Sequence, residues 1–124
     1  MAHILVIDDE PNIRLMLKMA LTEEGHEIST AKTGQEGLKI IKDRQPDLIL
    51  IDLNMPVLNG REFIVLMRSD IRFRHIPIFL LTGSLAGTED FPPAESYQGL
   101  FEKPFDIFDL AKTVTNQLTV NIVV

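Results

Sequence analysis

The chain has 124 residues and a formal net charge of −6 at pH 7. This length suits one domain with a single core, and the acidic balance argues against binding nucleic acid or an anionic membrane through bulk electrostatics. Cysteine is absent from the sequence, which excludes disulfides and thiolate chemistry. No basic segment precedes an apolar stretch at the start, and no apolar run approaches about 18 residues, so we expect a cytoplasmic protein without a signal peptide or membrane span.

The first third of the chain predicts two strands around one helix. Residues 4–7 form a short apolar run that ends in acids, which indicates a buried strand. Pro11 suits the first turn of a helix, because its missing N–H has no partner there in any case. Apolar residues then recur at helical spacing up to Gly25, which provides the stop, and residues 26–31 predict the second strand.

The middle of the chain predicts the second helix, the central strand and the third helix. Thr33, followed three residues later by Glu36, predicts a capping box for the second helix. The sequence DLILID at 47–52 is a continuous apolar run ending in an acid, as expected of a strand buried on both faces. Asn59 and Gly60 then precede the apolar spacing of a third helix.

The last third predicts two strands and a final helix. Residues 76–82 resemble the central strand in composition, and residues 99–104 predict a brief last strand. The helical signal weakens between them, because Pro92 and Pro93 forbid a regular helix through this segment. The fourth helix is therefore predicted to be short or irregular, whereas Asp106 is predicted to cap a regular final helix.

Alternating strands and helices predict an α/β fold, a doubly wound five-stranded parallel sheet with helices on both faces. We find no internal repeat and no linker-like boundary, so one domain is predicted over residues 1–118. Residues 119–124 have no place in five strand–helix units and are predicted to be a tail or linker stub, or an extra strand.

Polar residues follow the predicted strands where chemistry is expected in such a sheet. Asp8 and Asp9 follow the first strand, Asp52 the third, Thr82 the fourth and Lys103 the fifth. A single strand-end acid is most often a loop cap, but the carboxyl ends of parallel strands line one edge, so these residues should converge. Crowded carboxylates raise a pKa or recruit a hard cation, and an oxygen-rich set suits Mg²⁺.

This set of residues is suited to phosphoryl transfer. With a cation present, the Asp52 carboxylate could attack phosphorus and form an aspartyl phosphate. The Lys103 ammonium would neutralise the transferring oxygens, and the Thr82 hydroxyl would hydrogen-bond one of them.

Four motifs, taken in chain order, resemble the receiver domain of two-component response regulators. They are IDDE, IDLNMP followed by NG, LLTGS, and EKPF, and the match runs from Ile4 to about Leu118. One motif alone is weakly specific, but all of them in this order are highly specific. The resemblance implies the strand order 2-1-3-4-5 of flavodoxin-like sheets and a cis peptide bond before Pro104.

The resemblance also implies roles for individual residues. Asp52 corresponds to the phosphoacceptor. The direct ligands of Mg²⁺ or Mn²⁺ correspond to Asp9, Asp52 and the backbone carbonyl of Asn54. Asp8 would act on the metal largely through water.

Other positions of the family's site are matched as well. Thr82 corresponds to the switch hydroxyl and Lys103 to the lysine that pairs with the phosphate. Asn54 and Ser84 occupy positions that, in the family, tune attack of water on the acyl phosphate.

Two features depart from the family pattern. A Tyr or Phe often stands three residues before the lysine, whereas this sequence has Leu100, with Phe101 directed to the other face of the strand. Pro92 and Pro93 also fall where the family forms its fourth helix. Phosphorylation is expected, but the usual readout through the last two units would be altered.

The resemblance implies a phosphorylatable signalling switch rather than an enzyme that turns over an external substrate. A sensor histidine kinase or phosphotransfer protein would supply the phosphoryl group from a phosphohistidine, and the domain would catalyse its own phosphorylation and dephosphorylation. Output would be contact with an unidentified downstream protein, without direct binding of nucleic acid or membrane.

Three alternative functions are supported by the sequence to different degrees. A degenerate receiver, acting as a phosphate-independent protein-interaction module, is the alternative that Leu100 and the two prolines favour. A Mg²⁺-dependent phosphatase would need a second acid two residues after Asp52, where the sequence has Asn54. A flavin-binding module would need a Ser/Thr/Gly-rich phosphate loop after the first strand, where the sequence DDEPN is acidic.

Some residues are assigned structural roles only. Met16, Met19 and Met67 are predicted to fill the core. The basic run at 68–74 is predicted to be a solvated loop, with a docking surface as the alternative. The three histidines are scattered, and no metal or phosphohistidine role is expected of them.

Overall fold

A computed structural model of the protein describes residues 2–55, 58–83 and 92–122, and side chains as far as residue 119. Its elements in chain order are β1 (His3–Ile7), α1 (Pro11–Glu23), β2 (Glu27–Ala31), α2 (Gly34–Asp43), β3 (Leu48–Asp52), α3 (Gly60–Ser69), β4 (Ile78–Thr82), a short 3₁₀ helix (Ala94–Ser96), β5 (Gly99–Glu102) and α4 (Ile107–Ile122). Strands and helices alternate, as the hydrophobic pattern predicts.

The five strands form one parallel sheet in the order β2-β1-β3-β4-β5. This confirms the predicted fold class and strand order. Successive strands are added on one side of β1 for β2 and on the other side for β3, and this switch point leaves a crevice at the carboxyl edge of the sheet, where α/β proteins of this type place their ligands.

Side chains alternate between the two faces of the sheet and build a core on each. The core on one face includes Ile41 of α2 and Phe63 of α3, and that on the other includes Leu17 of α1 and Val114 of α4. With both faces covered, β1, β3 and β4 are buried along their whole length. This explains why their sequences are continuous apolar runs.

Local capping contacts fix where the helices begin. Thr33 Oγ1 accepts a hydrogen bond from the Glu36 amide, but the Glu36 carboxylate accepts from Lys32, so the predicted capping box is only half formed. Asn59 and Glu62 form a complete capping box at α3. The predicted cap at Asp106 is confirmed, since its carboxylate accepts hydrogen bonds from the first amides of α4.

The structure excludes one of the alternatives for part of the tail, the extra strand. Residues 119–122 continue α4 and do not form an extra strand, whereas the domain limit at residue 118 stays a prediction. The predicted irregularity of the fourth helix falls largely on residues 84–91, which lie outside the described residues. Beyond them, Pro93 is followed only by the single 3₁₀ turn.

Two of the three methionines assigned to the core are exposed. Met67 is buried as predicted, but Met16 and Met19 are 47% and 62% exposed. The buried stripe of α1 is narrow and consists of Leu17 and Leu21. Helical spacing alone could not show where the apolar face of α1 stops.

The prediction of a solvated basic loop is wrong for Arg68. This residue lies in the last turn of α3 and is half-buried. Its guanidinium donates to the carbonyl oxygens of Arg74, Ile76 and Ser96. Arg68 therefore ties α3 to the segments that lead into β4 and β5.

Candidate functional site

The predicted site residues converge because they follow adjacent parallel strands. Asp8 directly follows β1, Asp52 ends β3, Thr82 ends β4 and Lys103 follows β5. The ladder continues into the site: the Lys103 amide donates to the Thr82 carbonyl at 2.7 Å. Regular strand geometry thus delivers residues that are distant in sequence to one edge of the sheet.

Four carboxylates crowd this edge. One oxygen each from Asp8, Asp9, Glu10 and Asp52 lies within 4.8 Å of the others. Asp8 and Asp52 are 0% and 5% exposed, whereas Asp9 and Glu10 are exposed. The cluster therefore has a buried floor and a solvated rim.

Lys103 is the cation that faces these acids. Its Nζ lies 2.9 Å from Asp8 Oδ2, 2.9 Å from Glu10 Oε1 and 3.3 Å from Asp52 Oδ2. Burial alone would lower the pKa of this ammonium, but its contacts with the Asp8 and Glu10 carboxylates and the charge of Asp52 raise the pKa above its usual value. Lys103 is accordingly charged at neutral pH, with its side chain 14% exposed.

Asp8 is held in place by the start of α1. Its Oδ1 accepts a hydrogen bond from the Glu10 amide at 2.9 Å, and its carbonyl accepts one from Arg14 Nη1 at 2.7 Å. Burial raises the pKa of the Asp8 carboxyl, opposed by the Glu10 amide and Lys103 and reinforced by the charge of Asp52. A further cation beside Asp8 would stabilise its charged form.

Asn54 connects two of the other site residues. Its amide donates to Asp52 Oδ1 at 3.0 Å, which fixes the orientation of that carboxylate. Its side-chain Nδ2 lies 3.5 Å from Thr82 Oγ1, at the long limit of a hydrogen bond. Thr82 is fully buried.

Gly60 explains the Asn-Gly pair that follows β3. A Cβ at this position would lie 2.8 Å from Leu53 Cα and 2.9 Å from the Asp52 carbonyl oxygen, both backbone atoms that cannot move aside easily. The Gly60 amide also donates to the Leu53 carbonyl at 3.1 Å. Only glycine lets α3 begin this close to the strand that carries Asp52.

All six predicted site residues meet at this edge, and one member of the cluster was missed. An open pocket of about 240 Å³ is lined by Asp9, Glu10, Asp52, Asn54, Gly83 and Lys103. Glu10 was not predicted, although it stands next to the acid pair in the IDDE motif. Ser84, expected to tune hydrolysis, lies outside the described residues.

The donor set fits a hard divalent cation. Carboxylate oxygens are the ligands that Mg²⁺ and Mn²⁺ prefer. Asp8 Oδ2 is buried, and it contacts Lys103 as an ion pair without an aligned hydrogen bond. Four acids facing this lysine leave an excess of negative charge that a metal ion would offset.

The structure shows where the two residues of the first departure from the family pattern, Leu100 and Phe101, are packed. Leu100 packs against the core on the α2 and α3 face, and Phe101 against the core on the α1 and α4 face, stacked on Phe79. The prediction that they face opposite sides is confirmed. The peptide between Lys103 and Pro104 is cis, as the resemblance implies.

An open parallel sheet of order 2-1-3-4-5, with a carboxylate-rich pocket and a lysine at its carboxyl edge, defines a flavodoxin-like α/β domain with an acidic site. Comparison with known proteins gives the family. The model of the response regulator receiver domain matches residues 4–115. The chain therefore belongs to the response regulator receiver domain family, a family of signalling domains.

Individual relatives agree with this assignment. Protein PilH of Pseudomonas aeruginosa is 30% identical over 115 residues, covering 92% of this chain and 95% of PilH. Chemotaxis protein CheY4 of Vibrio cholerae matches with a TM-score of 0.84 at 32% identity, covering 94% of this chain and 98% of that one.

A third relative was solved with ligands. Response regulator protein TrrA of Thermotoga maritima, in complex with Mg²⁺ and BeF, has a TM-score of 0.81 and 36% identity, covering 95% of this chain and 99% of that one. Other relatives are longer: the chain spans 35% of one transcriptional regulatory protein and 12% of a sensor histidine kinase. Within the described ranges, no helix is long and apolar enough to cross a membrane.

Proposed function

We propose that this domain is a phosphorylatable switch with Asp52 as its phosphoacceptor. The observation that carries the proposal is the position of the Asp52 carboxylate, buried among three other acids with its Oδ2 3.3 Å from Lys103 Nζ. Its other oxygen is oriented by the Asn54 amide. A nucleophile held this way beside a fixed cation suits attack on phosphorus.

The step is a transfer from a phosphohistidine of a sensor histidine kinase or phosphotransfer protein. An Asp52 oxygen forms the new bond to phosphorus, and the bond from phosphorus to imidazole nitrogen breaks with its electron pair remaining on that nitrogen. Lys103 stabilises the charge on the transferred group, and the Thr82 hydroxyl hydrogen-bonds one of its oxygens. Hydrolysis of the acyl phosphate resets the domain, which catalyses both reactions on itself.

The metal would be Mg²⁺ or Mn²⁺. Asp9, Asp52 and the Asn54 carbonyl would bind it directly, with Asp8 acting through water. When bound, the ion supplies positive charge to the oxygens of the transferring group.

The output is a change in affinity for a downstream protein, since the phosphate shifts a two-state equilibrium. We place this function in the cytoplasm, without direct contact of the domain to nucleic acid or membrane. Asn54 and Ser84 are assigned to tuning the lifetime of the phosphate. The alternative is a phosphate-independent interaction module, which Leu100 favours, because the family often carries an aromatic residue at this position.

Intact mass after incubation with a small phosphodonor tests the proposal. The wild-type protein is expected to gain one phosphoryl group in the presence of Mg²⁺ and none after chelation. Asp52→Asn removes the nucleophile with little change in size and is expected to abolish the gain. Asp109→Asn, at an exposed position of α4, is the matched control that keeps it.

A gain that persists in Asp52→Asn would assign the nucleophile elsewhere. Absence of any gain with several donors, together with no Mg²⁺ binding by calorimetry, would overturn the phosphoacceptor and leave the phosphate-independent module as the function.

A further inference from the structure

Three carboxylates compete for the Lys103 ammonium. Its Nζ donates hydrogen bonds to Glu10 Oε1 at 2.9 Å and to Asp52 Oδ2 at 3.3 Å, and it lies 2.9 Å from Asp8 Oδ2 as an ion pair. On the proposed function, this nitrogen must also bind the phosphoryl group on Asp52. One of its present partners therefore has to give way.

The three partners differ in how readily they can be released. The Asp8 and Asp52 side chains are 0% and 6% exposed, so separating either from the lysine leaves a charge in a poorly hydrated site. The Glu10 side chain is 57% exposed. Water can replace the lysine there at little cost, as at other surface ion pairs. Of the three partners, Glu10 therefore has the lowest cost of release.

We infer that Glu10 is a positioning residue, which holds Lys103 at the rim of the pocket before phosphorylation and releases it to the phosphoryl group. The inference rests on the proposed function. It also gives a role to an acid beyond those needed to bind the metal. The geometry supports it, since Glu10 Oε1 contacts the same nitrogen that lies 3.3 Å from Asp52 Oδ2.

The contact has a measurable consequence. An interaction present only in the unliganded state lowers the apparent affinity for any ligand that needs Lys103. Glu10→Gln removes the charge, and Glu10→Asp keeps the charge but is too short for the contact. Both are expected to bind beryllofluoride, a phosphoryl analogue, roughly two- to fivefold more tightly at saturating Mg²⁺, the range set by exposed ion pairs.

A double-mutant cycle separates this role from simple repulsion between charges. Beryllofluoride affinity is measured by calorimetry for wild type, the two Glu10 variants, and each of these combined with Lys103→Met. The gain is expected to vanish when Lys103 is absent. If Glu10→Asp binds like wild type, or if the gain persists without Lys103, the negative charge of Glu10 acts directly on the anion and the inference is wrong.

A second readout needs neither metal nor phosphate. The Lys103 ammonium is observed by ¹⁵N NMR in the free protein, where three carboxylate partners should slow exchange of its protons with water. Glu10→Gln is expected to accelerate this exchange, and Glu23→Gln, at the exposed far end of α1, is expected to leave it unchanged. Equal proton exchange in wild type and Glu10→Gln would show that Glu10 does not hold the Lys103 ammonium in the free protein, and the inference would be wrong.

The two readouts also separate failure of the inference from failure of the proposed function. Absence of beryllofluoride binding by the wild-type protein would overturn the phosphoacceptor and, with it, the release of Lys103. Binding by the wild type without coupling between Glu10 and Lys103 would overturn the inference and leave the phosphoacceptor standing.

Discussion

Two partly buried cations lie at opposite edges of the sheet and have different kinds of partner. Lys103, at the carboxyl edge, contacts three carboxylates. Arg68, at the edge where β4 and β5 begin, donates to three backbone carbonyls and to Gln98 Oε1. Burial lowers the pKa of Arg68, whereas acidic partners raise the pKa of Lys103 above its usual value in spite of burial.

This difference separates a structural cation from one suited to exchange. The carbonyls around Arg68 are fixed by the backbone and carry no net charge, so no other ligand competes for the guanidinium. The carboxylates around Lys103 carry net charge, and that of Glu10 is solvated, so a second anion or cation in the pocket alters these contacts. Fixed neutral partners of this kind stabilise the fold. On the proposed function, the shared charged partners of Lys103 serve the switch.

The largest effect that we predict is the loss of stability when Arg68 is replaced. Arg68→Ala removes the donor from the carbonyls of Arg74, Ile76 and Ser96. The contacts to Ile76 and Ser96 are partly buried, and an unsatisfied buried group costs about 1–3 kcal/mol. We expect the free energy of unfolding to fall by about 2–4 kcal/mol. Urea unfolding with an unchanged m-value measures it.

Arg68→Lys should recover only part of this loss, because an ammonium lacks the planar fork that reaches three carbonyls. Arg61→Ala, at an exposed position of the same helix, is the control expected to change stability little. A loss in Arg68→Ala no larger than in Arg61→Ala would show that water satisfies these carbonyls.

At the carboxyl edge, removing a charge should raise the free energy of unfolding, whereas removing the charge of Arg68 lowers it. Asp8 is fully buried beside other acids, and Asn keeps the acceptor for the Glu10 amide. Lys103 retains two carboxylate partners, so Asp8→Asn leaves no buried cation unpaired. In metal-free buffer at neutral pH we expect the variant to be more stable, on the order of 1 kcal/mol.

The same variant should bind Mg²⁺ more weakly than wild type. Stability is measured by urea unfolding in chelator, and binding by calorimetry. Asp9→Asn is the matched control, since Asp9 is exposed and its neutralisation should change stability less. A destabilised Asp8→Asn protein would mean that the pair with Lys103 outweighs repulsion and burial.

Much of the fold could be predicted because its signals are local. Buried strands require continuous apolar runs, and the cap at Asp106 depends on amides two and three residues away. The site could be predicted as far as it follows from strand ends: Asp52, Thr82 and Lys103 are placed by the sheet itself. The sequence pattern implies the register of the strands, and this register is sufficient to predict that these three residues lie together.

The contacts that the sequence did not predict are made by the terminal groups of long side chains. Glu10 and Lys103 are 93 residues apart in sequence, and Arg68 reaches carbonyls on two later segments. Neither contact has a periodicity or a local motif. The prediction that Met16 and Met19 are buried was wrong for a related reason. The packing of α1 against its neighbours decides how wide the buried stripe of this helix is.

The smallest expected effect concerns His26, between α1 and β2. Its Nε2 lies 2.9 Å from Thr115 Oγ1 of α4, and burial lowers the pKa of this imidazole below 6.5, opposed by Glu24. Between the lowered pKa of the folded state and 6.5, the unfolded state binds more protons. Stability from this residue is therefore complete above about pH 6.5 and falls as the pH drops through the folded-state pKa.

His26→Gln removes the titrating group and leaves an amide at the position that faces Thr115. Comparing urea midpoints at about pH 5 and about pH 7.5, we expect wild type to lose slightly more stability on acidification than the variant. His75→Gln, at an exposed position, should behave like wild type. Equal losses in His26→Gln and wild type would mean that the imidazole is hydrated well enough in the folded state to protonate freely.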